Sequence, residues 1–345
     1  MPKFNPFRPN NIITPGMFCG RYDEMRRTEQ ALFQTKNGNP EHFLLEGERG
    51  IGKSSLFRVL DWVAKGDIDT LDSQKFRFVV VNVEVRETMG HGDIIDRLIL
   101  ELRRQVAERD HIKELCKRAW DFLSKFEAYG IRYRQNEENA RREGLDDLTS
   151  ALVDLITDAR DEIDGVLLLI DEADKPPSSA HLGELCKLLT ERLSYRNAER
   201  VSIGLAGLPG LVGKLRLSHE SSPRLFSVLS IQPLTDDEVK QVIDKGLNDA
   251  EKKNGFRTQI TDEAKNIIAN LSEGYPHFIQ QFAYCAFDAD RDDHIDAQDV
   301  QVGAYSEHGA MDQLGRRYFA DLYIDQIGSE DYRKVLVAMA ESLVQ

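Results

Sequence analysis

The sequence has no long apolar run and no paired cysteines. No apolar stretch in its 345 residues approaches the length of ~20 residues that a membrane helix needs. The N-terminal MPKFNPFRPNNIITPG has no continuous apolar segment of the kind found in a secretory signal. Cys19, Cys116, Cys186 and Cys285 are far apart and form no CxxC pair, which argues against a zinc site or a disulfide framework. These absences predict a protein that is cytoplasmic and has no membrane partner.

An excess of positive charge is also missing. The chain carries 45 Lys and Arg against 59 Asp and Glu, a formal net charge of −14. Such a chain repels nucleic acid on average, so a DNA contact requires a local basic patch. The densest basic runs, near Arg26, near Arg103 and from Arg132 to Arg142, are interleaved with acids and favour solvated helix faces. Net charge therefore does not indicate DNA as a partner, although DNA binding through a local basic patch stays an alternative.

The most informative stretch is GERGIGKSS, which fits the pattern G-x-x-x-x-G-K-[ST]. Its glycines permit the backbone conformations that let N–H groups close around phosphate oxygens. Lys53 adds positive charge at the β- and γ-phosphates, and the Ser54 hydroxyl is placed to bind Mg²⁺. The predicted nucleotide-binding residues are Gly47, Glu48, Arg49, Gly50, Ile51, Gly52, Lys53, Ser54 and Ser55.

A second motif, GVLLLIDEAD, runs from Gly165 to Asp174. Its five consecutive apolar residues, Val166 to Ile170, predict a strand buried on both faces. Asp171 is then placed to hold Mg²⁺, and Glu172 to orient and polarise the attacking water. A solvated turn is the alternative for an isolated Asp-Glu pair, but it is disfavoured after a buried strand in a chain with a phosphate loop. The two motifs predict ATP and Mg²⁺ as cofactors and ATP hydrolysis as the reaction.

Strands alternate with helices through the first two thirds of the chain. The predicted strands are His42–Glu46, Phe76–Val85, Val166–Ile170, Val201–Leu205 and Phe226–Ile231. One intervening helix is predicted to be capped by Asp93, and residues 112–144 to form helices or a hairpin around Tyr129 and Gly130. This alternation predicts an α/β fold, a three-layer P-loop NTPase with a mostly parallel sheet and helices on both faces.

After Pro233 every pattern is helical, and Thr235 with Glu238 forms a capping box at the start of the first helix. We expect the helix of residues 328–342 to resemble the first helix of a winged-helix domain, whose recognition helix does not follow in this sequence. The predicted parts are an N-terminal extension (1–20), a P-loop ATPase α/β domain (21–233), a small all-helical lid domain (234–304) and C-terminal helices (305–345).

In this order the motifs resemble the AAA+ ATPases, and more narrowly their initiator-type and STAND-like (archaeal-ATPase-like) branch, over residues 18–300. FCGRYDE is similar to the family's GR-x-x-E box, which implies that Arg21 lies along the adenine. The strand from Val201 resembles the sensor-1 strand but ends in Ala-Gly, where the family often has Asn or Thr. The stretch from Gly274 to Pro276 resembles the Gly-x-Pro turn of STAND-like relatives, which implies that Pro276 contacts the nucleotide and that turnover is slow.

The same resemblance implies an arginine finger. SPRLFSVLSIQPL lies where many relatives carry it, so Arg224 is the candidate for reaching the γ-phosphate of a neighbouring protomer. Arg196 and Arg200 are the other candidates, and an ordinary surface arginine is the alternative.

Three functions compete on this sequence. The first is an ATPase switch that binds ATP or ADP and assembles into a homo-oligomer or with a partner protein. The second is a DNA-associated initiator or transposition-type regulator, and the third is a scaffold that does not hydrolyse nucleotide. The acid pair Asp171-Glu172 disfavours the third.

The segment Asp288–Asp299 imitates a calcium loop, with acids at positions 1, 3, 5, 9 and 12. Position 6, which needs glycine for a sharp turn, holds Asp293, and position 12 holds Asp299 in place of glutamate. We therefore expect a helix end, a polar loop and a helix cap here rather than a calcium site.

Overall fold

The structure is a computed structural model that describes residues 3–9, 11, 18–129, 137–319, 327 and 329–343. The contacts within the chain divide it into two compact units. One unit comprises Gly20–Gln232, and the other comprises Met1–Cys19 together with Pro233–Gln345. The N-terminal residues thus group with the C-terminal part of the chain.

The first unit, here called the ATPase unit, is built on a parallel sheet with the strand order β2-β3-β4-β1-β5. Val166, Leu168 and Ile170 of the third strand join the core formed with the third to eighth helices, whereas Leu167 and Leu169 are buried on the opposite side. This double burial explains the unbroken apolar run, as predicted for a parallel sheet. The strands are β1 (His42–Glu46), β2 (Phe78–Glu84), β3 (Gly165–Asp171), β4 (Val201–Gly207) and β5 (Phe226–Ser230).

Helices cover both faces of this sheet, which confirms the three-layer α/β prediction. The first two helices contact each other and the central strands, and the third, fifth, sixth and seventh form a separate contacting group. The hairpin predicted around Tyr129 and Gly130 extends outside the described residues. The helices are α1 (Tyr22–Lys36), α2 (Lys53–Lys65), α3 (His91–Ala107), α4 (Asp110–Leu115), α5 (Lys117–Tyr129), α6 (Glu137–Asp158), α7 (Leu182–Tyr195) and α8 (Leu211–Ser218).

One predicted helix cap in this unit is wrong. Helix α3 begins after Gly90, and Asp93 lies at the third helical position, where its carboxylate accepts the Gly90 N–H at 2.9 Å. Asp93 therefore supplies the returning half of a capping box rather than the N-cap itself. The residue at the cap is a glycine, which has no side chain that could mark the cap in the sequence.

The second unit, here called the helical unit, begins as predicted. The Thr235 N–H donates to the Glu238 carboxylate at 2.8 Å, and the Glu238 N–H returns to the Thr235 hydroxyl at 3.4 Å. Its helices are α9 (Asp236–Asn254), α10 (Asp262–Ser272), α11 (Pro276–Ala289), α12 (Ala297–Tyr305), α13 (Ala310–Leu314) and α14 (Glu330–Leu343), with a π-helical turn at Gly315–Phe319. Nowhere in the described ranges is a helix both long and apolar enough to cross a membrane.

A short pair of parallel strands, β6 (Gln259–Ile260) and β7 (His294–Ile295), interrupts the helical unit. The helical patterns of the sequence did not predict it. Ile295, the apolar position of the calcium-like segment, is 1% exposed and belongs to the core of this unit. The pair thus joins the loop before α10 to the loop before α12.

The carboxylates of the calcium-like segment bond to the protein itself. Asp290 accepts the N–H groups of Asp292 and His294 at 3.2 and 3.1 Å. Asp296 caps α12, and Asp299 completes a capping box with it. This is the expected sequence of helix end, polar loop and helix cap.

The N-terminal segment packs on the helical unit. Phe7 is 2% exposed, and its ring lies 6.4 Å from that of Phe287. A Cβ on Gly246 would come 2.5 Å from the Phe7 ring, so only glycine leaves room for it there. The ammonium of Lys3 lies 2.6 Å from Asp290 and 2.7 Å from Asp293. The segment therefore supplies part of the core of this unit.

Truncating this anchor should destabilise the helical unit. Phe7→Ala removes a fully buried ring and is expected to lower the free energy of unfolding by about 3–5 kcal/mol. Phe33→Ala is the matched control, because Phe33 is 49% exposed. Urea unfolding followed by circular dichroism measures both variants, and equal effects of the two substitutions would contradict the packing of Phe7.

Candidate nucleotide-binding site

The phosphate loop joins the end of β1 to the start of α2, as the sequence predicts. Gly50 and Gly52 have φ of 78° and 102°, in the left-handed region that glycine adopts without strain. Gly52 is the N-cap of α2, so the loop lies at a helix N-terminus whose first N–H groups have no partner within the helix. Such an end binds anions, phosphate above all.

The start of the loop is tightly enclosed. A Cβ on Gly47 would lie 3.0 Å from the side chain of Ile51 and 3.1 Å from that of Ile231. The Gly47 N–H donates to the carbonyl of Gly207 at 3.2 Å, which ties the loop to the end of β4. Ile51 is 1% exposed and anchors the middle of the loop in the core.

Lys53 lies across the loop. Its ammonium donates to the carbonyl oxygens of Gly47 at 2.7 Å and Glu48 at 2.9 Å. Burial lowers the pKa of Lys53, and the negative charges of Asp171, Glu172 and Asp174 act in the opposite direction. The lysine is therefore held on the loop and within electrostatic reach of the acids that follow β3.

Ser54 and Asp171, the two predicted Mg²⁺ ligands, lie close enough together for the Ser54 hydroxyl to lower the pKa of the Asp171 carboxyl. Burial raises the pKa of Asp171, while the Ser54 hydroxyl and the Glu172 N–H, which donates at 2.8 Å, partly counteract that rise. A hydroxyl and one carboxylate are a donor set that suits Mg²⁺, which takes few protein oxygens and completes its shell with phosphate and water. A dication here would also hold the buried carboxylate in its ionised form.

Glu172 follows at a sharp bend of the backbone. Its φ is 58°, a left-handed conformation that costs a non-glycine residue ~1 kcal/mol and is concentrated at functional sites. The side chain is 37% exposed, and its carboxylate lies 3.3 Å from the ammonium of Lys175. Both members of the acid pair are half-buried.

Two further acids hold the turn after β4, and the sequence interpretation missed both. Asp174 accepts the Leu208 N–H at 2.9 Å, and Glu46 accepts the Gly210 N–H at 2.7 Å. A Cβ on Gly207 would lie 2.7 Å from the Asp174 carboxylate, so this carboxylate fills the space of a side chain at the end of β4. The signal available in the sequence was an acid at the end of one buried strand and another acid shortly after a second buried strand.

Arg21, predicted to lie along the adenine, bonds to protein backbone. It is 8% exposed, and its guanidinium donates to the carbonyl of Ile51 in the phosphate loop at 3.0 Å and to that of Gln232. The contact of Arg21 with adenine stays a prediction. Its bond to the phosphate loop was not predicted from the sequence.

The three candidate finger arginines differ in what they bind. Arg200 donates to the carbonyls of Ile156 and Ile163 at 3.1 Å and thereby caps the end of α6, and Arg196 donates to a serine hydroxyl at 2.9 Å. Arg224 is exposed, and its side chain makes no hydrogen bond or ion pair in the described part of the chain. It precedes β5, at the end of the sheet opposite the phosphate loop.

Pro276 belongs to the helical unit, where it is the first residue of α11. Gly274 before it has φ of 73°, and a Cβ there would collide with the Leu234 carbonyl oxygen. The Leu234 N–H donates to the Gly274 carbonyl at 2.9 Å. The Gly-x-Pro turn is thus packed against the start of the unit, and the contact of Pro276 with nucleotide stays a prediction.

Comparison with known proteins gives the family. The profile of the AAA ATPase domain matches residues 17–197, about half of the chain. A Methanocaldococcus jannaschii protein, described as an uncharacterized HTH-type transcriptional regulator, is 25% identical over 285 residues, which cover 80% of this chain. This chain spans 65% of the length of that relative.

Solved structures show the same fold. ORC1 of Aeropyrum pernix, in a complex with DNA, superposes with a TM-score of 0.52 at 16% identity over 90% of this chain and 69% of that one. ORC2 of the same organism gives 0.51 at 15% identity over 83% of this chain and 65% of that one. A RuvB variant of Thermotoga maritima gives 0.50 at 16% identity over 92% and 79%.

The fold and the phosphate loop define a P-loop NTPase. The chain belongs to the AAA ATPase domain family.

The buried charge of Asp171 predicts a pH-dependent cost. Because its pKa is raised in the fold, the folded protein is destabilised when this carboxylate ionises, and the cost disappears below the unfolded value of 3.8. Asp171→Asn should therefore raise the thermal midpoint of nucleotide-free protein in EDTA at pH 7 and by less near pH 4. Its Mg²⁺-dependent turnover should fall about 100-fold or more.

The exposed Asp161 supplies the control Asp161→Asn, which should change neither the midpoint nor the rate. Scanning calorimetry at both pH values measures the midpoints. A lower midpoint for Asp171→Asn at pH 7 would contradict the burial of an ionised carboxylate.

Proposed function

We propose that this protein is a Mg²⁺-dependent ATP hydrolase that acts as a nucleotide-dependent assembly switch. The observation that supports it best is the proximity of the Ser54 hydroxyl to the Asp171 carboxyl, whose pKa it lowers, beside a lysine held on the phosphate loop. Phosphoryl transfer depends mainly on positioning and on stabilising charge, and these groups are suited to both tasks.

Each group has a defined task in this proposal. The N–H groups of the loop and of the α2 N-terminus hold the phosphates, and the Lys53 ammonium turns from the loop carbonyls to the β- and γ-phosphates. Mg²⁺, held by Ser54 and Asp171, neutralises phosphate charge when it is bound. Glu172, the accessible acid, accepts a proton from the attacking water. Asp171 thus serves the metal, and Glu172 serves the water.

The position of Arg224 supports completion of the site by a neighbouring subunit. β5 is five residues long and separates Arg224 from the phosphate-loop end of the sheet by about 16 Å. An arginine there cannot reach the phosphates of its own chain. Its guanidinium has no partner among the described residues and is available to a second copy.

Slow turnover and a STAND-like mode of switching are supported by the helical unit. The Gly274 turn admits no side chain, and no arginine lies near it in the sequence to act as a second phosphate sensor.

The four cysteines are free and buried, and burial raises the pKa of Cys186 to about 12 and that of Cys116 to about 11. Such unreactive thiols agree with a cytoplasmic location.

Assembly on DNA is the second candidate. The names of two similar proteins motivate it, since one is an HTH-type regulator and one was solved in a complex with DNA. Charge argues against a large DNA interface, because residues 233–345 carry 22 acidic and 11 basic side chains. We therefore place DNA second to assembly on nucleotide alone.

Removing the proposed base should separate binding from turnover. Glu172→Gln keeps the size of the side chain but cannot accept a proton, so ATP should bind with unchanged affinity while phosphate release falls about 100-fold or more. Calorimetric titration and a phosphate-release assay measure the two quantities. Glu162→Gln, at an exposed position of the same unit, is the control. Undiminished phosphate release would remove Glu172 from the mechanism.

The proposed finger should act between chains. Arg224→Ala should lower turnover about 1,000-fold without weakening ATP binding. Mixing it with an equal amount of Glu172→Gln should restore activity, because about a quarter of the interfaces then pair an intact Glu172 with an intact Arg224. Arg196→Ala is the control. Mixtures no more active than the separate variants would contradict action in trans.

A further inference from the structure

The Arg21 guanidinium joins two distant parts of the ATPase unit through their backbone. One terminal nitrogen donates to the carbonyl of Ile51, inside the phosphate loop, at 3.0 Å. The other donates to the carbonyl of Gln232, the last residue of the ATPase unit before the chain continues into the helical unit. Charge-assisted hydrogen bonds of this kind are stronger than neutral ones.

Arg21 also lies where the chain enters the ATPase unit. The preceding residue, Gly20, is the first of the unit, and the residue before that, Cys19, belongs to the core of the helical unit. Gly20 and Arg21 have φ of 67° and 62°, both left-handed. One guanidinium therefore holds the entry and the exit of the chain together at the phosphate loop.

The exit segment touches the loop directly as well. The Ile231 N–H donates to the Glu46 carbonyl at 2.8 Å, and Ile231 packs beside Gly47. The loop, the exit segment and Arg21 thus form one contacting cluster. A change in the loop acts on Gln232 through Arg21 and on Ile231 through Gly47.

The bond to Ile51 has a further consequence for the loop. In a trans peptide the C=O and the following N–H lie in one plane and point in opposite directions. Fixing the Ile51 carbonyl on Arg21 therefore directs the Gly52 N–H away from Arg21. Gly52 is the N-cap of α2, where phosphate is expected. The positive charge of the Arg21 guanidinium, bonded to the Ile51 carbonyl, polarises the Gly52 N–H of the same peptide group.

We propose that Arg21 is a positioning residue: it orients the Gly52 N–H for phosphate and links occupancy of the loop to the chain connections at Gly20 and Gln232. This role rests on the proposed function of the loop as an ATP site. This role differs from a contact between Arg21 and the adenine. In this role, Arg21 responds to the phosphates of the ligand rather than to its base.

Arg21→Lys tests the proposal in the full-length chain. Lysine keeps the charge but lacks the planar fork that serves two carbonyls at once. The affinities for ATP and for inorganic tripolyphosphate, both with Mg²⁺, should fall by the same factor of about 10. Loss of an adenine contact would instead weaken ATP and leave tripolyphosphate unchanged, and that result, or no change in either, would overturn the proposal.

Hydrogen exchange supplies the second readout. In the wild type, a non-hydrolysable ATP analogue at saturation should slow exchange in peptides covering residues 18–22 and 229–233 by about 10-fold or more. In the Arg21→Lys variant saturated with the same analogue, this protection should be absent although the analogue occupies the phosphate loop. Protection equal to that of the wild type would overturn the link between the loop and the connections.

Controls separate this inference from the function on which it rests. Arg58→Lys, at a half-exposed position of α2, should alter neither affinity nor exchange. Lys53→Ala should lose both ATP and tripolyphosphate, and if it retains both, the ATP site itself is wrong. Should Arg21→Lys fail to fold by circular dichroism, Arg21→Gln, which can serve one carbonyl, replaces it with the same expected results.

Discussion

The position of β4 between β1 and β3 is the constraint on which the rest of the structure depends. Because all three strands are parallel, the loop after β1 and the acids after β3 meet at one edge of the sheet, one strand apart. That spacing brings the Ser54 hydroxyl close to the Asp171 carboxyl. The helices and the core of the ATPase unit keep this register, since a slip of one residue would turn every side chain to the other face.

The site is held mainly through backbone atoms. Glu46 and Asp174 bind N–H groups of the turn after β4, and Arg21 binds the carbonyl of Ile51. These bonds fix the loops while Lys53 and Asp171 stay partly or largely buried, a state that burial disfavours for their charged forms. Bound phosphate and Mg²⁺ would relieve both costs at once. A ligand that relieves such costs stabilises the fold, which is the physical basis of a switch.

The parallel sheet and the phosphate motifs were predictable because they depend on local patterns. Apolar runs predicted β1 and β3, and the spacing of the glycines predicted the phosphate loop. The cap of α3 was assigned to Asp93 instead of Gly90, and the β6–β7 pair was missed, because neither has a distinctive local pattern. The burial of Phe7 and the bonds of Arg21 to Ile51 and Gln232 join residues far apart in sequence, so only the folded chain reveals them.

The central claim is that nucleotide bound at this site drives assembly of the protein. Light scattering coupled to size exclusion tests it most directly, with the mass measured without nucleotide and with Mg²⁺ and a non-hydrolysable ATP analogue, each with and without duplex DNA. A larger mass is expected with the analogue alone, without a further requirement for DNA. A mass that stays monomeric with the analogue, or that increases only when DNA is present, would contradict it.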